Sequence, residues 1–420
     1  MKKQTGITLI TLIITIIIML ILAGVALSMA FGDQSVITQA QKAQESTTQA
    51  QKKEETTIKN YSDFVGYYDG TVRRKVSITP DNFDSTNFGK KNMEFILSGE
   101  FESLDIPTLG EGSSVSFDNV TTEKIVLPTE VTITGDNTIN VTNNIIEVKS
   151  DESDAILNFE NATLSSTNRY SINVTAPVGK SVLNITNSTL YLSTIFVGAH
   201  SLNYPNATAE FNVKNSYINC EENGLGSTIA IWGQSGVKSN IENSEIHTYS
   251  RGWHQSEDLN DNAITFQTGA TNDITISKSN MHLYGARSVI NARKYGSTSN
   301  YACNFNIDDS FIWVVSKSNN SPIYNATNIN NSIVVSTKYA HSSNNTTTVE
   351  STVYGNPTIY GSFDITTQCN WAHDITIPSG QIVTFAQDSK VSIYEDAAEI
   401  NFVGNIVNPG ALTNIGIKEN

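Results

Sequence analysis

Hydrophobic and polar positions along the chain fall into three regimes. From Ile7 to Phe31 every residue is uncharged, 25 residues in all. At about 1.5 Å per residue this predicts a helix roughly 37 Å long, more than the ~30 Å hydrocarbon core of a bilayer. Lys2 and Lys3 precede the run and Asp33 follows it, a charge order that keeps the N-terminus in the cytoplasm and sends the remainder out. The next stretch, DQSVITQAQKAQESTTQAQKKEETTIKNY, has no Pro or Gly and spaces Val36, Ala40, Ala43, Thr47 and Ala50 by fours and threes, the period of a helix with one small-residue face. The two stretches together predict one nearly continuous helix from Ile7 to about Tyr61, with Gly24 and Gly32 as bend points.

The third regime alternates with period two and repeats. LNFENATL, LNITNSTL, FNVKNSYI, SNIENSEI, ITISKSNM, FNIDDSFI and TNINNSIV share one order: an apolar residue, a polar anchor two positions later, a small residue, and a return to apolar. The apolar positions are Phe159, Ile185, Val213, Ile241, Ile276, Ile307 and Ile329. The anchors are Asn161, Asn187, Asn215, Asn243, Lys278, Asp309 and Asn331, at successive spacings of 26, 28, 28, 35, 31 and 22. A second set of strand-like segments, SINV, TIFVG, TIAIWG and AITFQ, falls between them. Short alternating strands at such periods predict stacked β units. Asn suits their corners because it tolerates the left-handed backbone region and bonds locally or to the Asn of the next unit. A propeller would need four strands in every ~40 to 50 residues, which this period does not allow.

The fold expected is mostly β: a right-handed parallel β-helix, or solenoid, preceded by one long N-terminal transmembrane, pilin-type α-helix. By period and pattern the repeat resembles the pectate-lyase-like superfamily, without a diagnostic catalytic motif. The expected organisation is a leader at 1–6, the transmembrane half of the helix at 7–31, its amphipathic extension at 32–60, connecting and first β coils at 61–130, the parallel β-helix at 131–350, and closing coils at 351–420.

The N-terminus carries a second resemblance. A basic pair, Gly6, then ITLI and an apolar helix closing with LAGVA is similar to type IV prepilins and type II secretion pseudopilins, over residues 1 to about 60 only. Membership would imply cleavage by a prepilin peptidase between Gly6 and Ile7, methylation of Ile7, and packing against other pilin-like subunits through the helix. Shaft-building members of that family carry glutamate at the fifth mature position; here it is Thr11, so the resemblance implies a minor or tip subunit. A cleaved signal ending at Ser28-Met29-Ala30 and a plain uncleaved anchor are the alternatives. The localisation this implies is the cell membrane, single-pass, with an extracellular C-terminal domain, in a pilus or pseudopilus where it assembles.

The formal charge of −15, with no basic cluster beyond runs such as Arg73-Arg74-Lys75, argues against a nucleic-acid partner. Cys220, Cys303 and Cys369 are too few and too far apart for a disulfide framework or a zinc site. The N-x-T triplets at Asn161, Asn184 and Asn206 read as turn chemistry. The longest interval of the repeat contains HTYSRGWHQSEDLNDN, from which Tyr249, Arg251, Trp253 and His254 are the candidate contacts to an extracellular glycan or protein, because aromatic faces bury area at low entropic cost. As a calcium loop it fails, with Ala263 where the turn needs Gly and Gly269 where a bidentate Glu belongs. Glu257 and Asp258 are adjacent, so on a strand they point to opposite sides and cannot flank one glycosidic bond. No cofactor and no metal are expected. Two functions stay open: a surface interaction subunit for adhesion or secretion, and a surface-displayed polysaccharide lyase or glycoside hydrolase.

Overall fold

The computed structural model describes residues 9–31, 36–69, 72–141, 145–165, 170–199, 204–222, 227–250, 262–285, 289–294, 301–316, 321–338, 348–365, 372–393, 399–413, 415 and 417–418. They divide into two compact units, Met1–Val72 and Arg73–Asn420.

The first unit contains two helices, α1 (Leu9–Phe31) and α2 (Val36–Asp69). Both use threonine hydroxyls to back-bond the preceding turn. Thr15 Oγ1 donates to the Thr11 carbonyl at 2.8 Å, and Thr47 Oγ1 to the Ala43 carbonyl at 2.8 Å. The helix expected from Ile7 to about Tyr61 is described as the segments Leu9–Phe31 and Val36–Asp69. One sequence-based expectation changes here: among the described residues no helix is long and apolar enough to cross a membrane. The transmembrane, pilin-type helix and the single-pass membrane localisation built on it are therefore unsupported.

In the second unit the strands up to Tyr354 join one 26-stranded sheet around a continuous apolar core. Pairing is parallel and mostly joins each strand to the second or third after it, giving three rows. The first row runs from Arg74–Ile78 through Lys180–Thr186, Thr208–Lys214 and Gly236–Glu242 to Asn328–Asn330. The second includes Tyr217–Glu222, Glu245–Ser250, Asn280–Gly285, Phe311–Ser316 and Ser332–Lys338. The third includes Ile229–Gly233, Ile264–Thr268 and Ile290–Lys294. The long strands Ala155–Ser165 and Thr189–Ala199 cross between rows and bond to neighbours in more than one of them. That fuses the rows into a single, near-closed sheet, where the expected right-handed β-helix has separate sheets. The fold class is corrected accordingly. The sheet ends with an antiparallel strand, Thr348–Tyr354, and three small three-stranded sheets follow it.

The repeat sets the register within the first row. Phe159, Ile185, Val213, Ile241, Ile276, Ile307 and Ile329 are cross-strand partners in that order. All are buried except Ile329, which packs partly buried against the same core. All seven anchors adopt left-handed backbone, with φ between 40° and 50°, where Asn and Asp are the least strained non-glycine residues. The Asn215 amide donates to Asn187 Oδ1 at 3.1 Å and the Asn243 amide to Asn215 Oδ1 at 2.8 Å, an outer ladder along the corner.

Beneath it runs an inner ladder of serines. Each follows its anchor, donates its hydroxyl to the carbonyl two residues earlier, and accepts the backbone N–H of the previous winding. Ser216 Oγ donates to the Lys214 carbonyl at 2.7 Å and accepts from Ser188 N–H at 3.0 Å; Ser244, Ser279, Ser310 and Ser332 repeat the pattern. The serine thus supplies the acceptor that the corner's buried N–H would otherwise lack. Ser216→Ala should destabilise the protein by about 1–3 kcal/mol, because it orphans a buried donor. Asn240→Ala, on the open face of the same row, should cost less than about 0.5 kcal/mol. Equilibrium urea unfolding of both variants checks the difference.

Candidate functional site

The second row is where the molecule departs from a simple inside and outside. In Asn280–Gly285 and Phe311–Ser316 every position is buried. Met281, Leu283, Ile312 and Val314 face the main core, whereas Tyr284, Phe311, Trp313 and Val315 belong to a second core. That second core is completed by Ile359, Phe363, Ile375, Val391 and Phe402 from the C-terminal sheets. A strand buried on both faces reads as a continuous apolar run, which is the reason for FIWVV.

The outer side chains of this row form a column. Asn219, His247, His282 and Trp313 are successive cross-strand partners. The His247 and His282 rings lie 5.9 Å apart, His282 and Trp313 4.8 Å apart, and Phe363 lies 6.0 Å from His247 and 6.3 Å from His282. His247 Nε2 meets Glu245 Oε1 at 2.6 Å. Burial, with the neighbouring His247 adding to it, holds the His282 pKa well below the ordinary imidazole range.

At the edge of the C-terminal sheets a cleft of about 380 Å³ opens. One wall is the Asn corner, with Asn187, Asn215, Asn243 and Lys278. The floor holds Tyr217, Glu245 and Asn280, and the far wall is Tyr360, Gly361 and Ser362. Asn280 Nδ2 ties wall to floor by donating to the carbonyls of Tyr360 at 2.7 Å and Ser362 at 3.3 Å. Lys278 Nζ lies 5.4 Å from the centre of the Tyr360 ring. Asp309 Oδ1 accepts Thr358 N–H at 3.2 Å, and its pKa is raised by burial. Asn187 and Asn215 each use one N–H and one oxygen lone pair along the corner, which leaves a second N–H and a second lone pair for a ligand. Glu245 is the one carboxylate among the described lining residues.

The candidates read from sequence fall mostly elsewhere. Tyr249 is the penultimate residue of the strand Glu245–Ser250, half-buried, with its ring edge-on to Tyr284 at 5.3 Å. Arg251, Trp253 and His254 lie outside the described residues, as do Gly6 and Ile7. Cys220 is buried and Cys303 half-buried, while Cys369 is outside the described residues. Among the described residues no group of three His, Cys, Asp or Glu could hold a metal ion.

The cleft residues Tyr217, Glu245 and Tyr360 and the His247/His282 pair carry a signal that motif reading passes over. His247 and His282 are separated by the same 35 residues as Asn243 and Lys278, so the repeat alone puts them side by side on one face. Compared with known proteins, the chain matches no family model, no curated protein and no solved structure.

Proposed function

We propose that the chain is an interaction protein, whose large β-sheet holds a glycan in the cleft at its Asn corner. The observation that carries this reading is the lining. Amides, hydroxyls and backbone carbonyls surround two tyrosine rings, Tyr217 and Tyr360, the combination of polar rim and amphipathic aromatic that binds sugars through hydroxyls and ring faces. A glycoside hydrolase needs two carboxyl groups about 5 to 9.5 Å apart across the bond it cuts. The described lining offers Glu245 alone, already engaged by His247, which favours holding over cutting.

The test is retention of the full chain on an immobilised panel of neutral and acidic polysaccharides, with assay of released reducing or unsaturated sugar. Retention without release is expected. Tyr360→Ala should then weaken binding at least tenfold, about 1.4 kcal/mol, as loss of a central aromatic contact does. Release of sugar, or retention unchanged in the Tyr360 variant, would overturn the assignment.

A further inference from the structure

The Asn corner continues past the cleft. Asn187 is the first anchor in the lining, and its amide donates in turn to Asn161 Oδ1 at 3.2 Å, one winding earlier. Glu160, the residue before Asn161, lines a second cleft of about 480 Å³ with Arg73, Glu111, Glu130, Thr132 and Asn158. Another amide ladder leaves that cleft along the open face of the first row. Asn158 Nδ2 donates to Thr132 Oγ1 at 3.4 Å, Asn184 Nδ2 to Asn158 Oδ1 at 2.8 Å and Asn212 Nδ2 to Asn184 Oδ1 at 2.9 Å. On the other side of the corner, Tyr191 stands one winding before Tyr217, with the ring centres 5.7 Å apart, and is 40% exposed.

We propose that the cleft is one end of a track for a linear, uncharged polysaccharide, which leaves it along the corner toward the second cleft and stacks its next sugar on Tyr191. This rests on the glycan reading above and extends it from one site to a chain of subsites.

The geometry sets the length. Asn161 and Lys278 are four windings apart, roughly 19 Å at ~4.8 Å per strand. An extended chain of pyranose rings advances by a similar step per sugar, so about five rings lie along the corner, one to a winding. Each ring then meets the same groups. Asn187 and Asn215, and on the face beside them Asn158 and Asn184, each keep an N–H and a lone pair beyond those the ladders use.

The charges decide the chemistry. Arg73 pairs with Glu160 at 3.4 Å, Lys180 with Glu210 at 3.1 Å and Lys214 with Glu242 at 3.2 Å, so these three cations are answered within the protein. An acidic chain would compete with those carboxylates and end beside Glu111 and Glu130, whereas sugar hydroxyls donate to carboxylate and amide oxygens alike.

Titration calorimetry of the full chain tests the track, using cello-, xylo-, manno- and chito-oligosaccharides of two and six units and oligogalacturonates of the same lengths. In at least one neutral series the six-unit chain should bind tenfold or more tighter than the two-unit one, and the oligogalacturonates should not bind. Tyr191→Ala, at an exposed position, should remove the gain from length and leave two-unit affinity unchanged, whereas Tyr360→Ala should weaken both lengths. Equal affinity for the two lengths, a length gain that survives in Tyr191→Ala, equal weakening of both lengths by that change, or tighter binding of oligogalacturonate would overturn the track and leave sugar binding in the cleft standing. No binding of either length in any series would overturn both.

Discussion

Ile241→Asp should disrupt the windings from Thr208 to Ser277 and lower global stability by about 4 kcal/mol or more, an amount that is a large share of the ~5–15 kcal/mol holding a typical fold. Ile241 is fully buried, paired in register between Val213 and Ile276. Its cross-strand partners are apolar, and the inward hydroxyl of Ser239 is already given to the Phe211 carbonyl at 2.7 Å, so a carboxylate there is either desolvated as an ion or forced to take up a proton. Each winding buries its inward residue against the two beside it, and the damage spreads to both. Ile241→Val gauges the packing part alone and should cost only about 0.5–1.5 kcal/mol. Urea unfolding of the three proteins measures both steps. An Ile241→Asp variant that unfolded with the parent would mean that the 28-residue step from Val213 to Ile241 does not set the register.

The inward residues and the corners were legible because one local rule generates both. An apolar residue at a strand end, a left-handed Asn two positions on and a serine after it recur with enough fidelity to align themselves, and even Lys278 and Asp309 could be placed as stand-ins for Asn. The sheet's closure was not legible. It depends on Ala155–Ser165 and Thr189–Ala199 continuing through the positions where other windings turn, and the sequence carries the same apolar alternation on either side of a bend.

The second core was half legible. FIWVV has the apolar run of a strand buried on both faces, which the repeat pattern did not bring out, and which segment covers it is a matter of tertiary docking, with covering strands from as far away as Phe402. The cleft shares that difficulty, since Tyr217, Glu245 and Lys278 meet Tyr360 only through the docking. The tryptophan loop drew attention by its composition, whereas the cleft is assembled from ordinary residues of the repeat. At the N-terminus the apolar run was plain, yet among the described residues no helix is long and apolar enough to cross a membrane.

That docking makes Trp313 the residue whose loss should separate the two cores. Its side chain is 1% exposed, lies near His282 at 4.8 Å and donates Nε1–H to Thr337 Oγ1 at 2.9 Å, so it ties neighbouring strands of the second row together within the second core that the C-terminal sheets complete. Truncation to alanine removes a large aromatic from a closed core and leaves a hydroxyl without its donor, a combination worth about 3–5 kcal/mol. The main core lies on the other face of the same strand, where Ile312 and Val314 remain in place. The loss should therefore fall unequally. In Trp313→Ala the segment from Thr358 to Lys418 should become open to protease under conditions where the windings from Ala155 to Ser277 still resist, and unfolding should split into two transitions with the C-terminal one first. Trp313→Phe, which keeps a ring but not the N–H, should retain a single transition at reduced stability. If the alanine variant instead unfolds in one step at a lower denaturant concentration, the two cores are a single cooperative unit, and the shared strand couples them more tightly than the ring contacts alone account for.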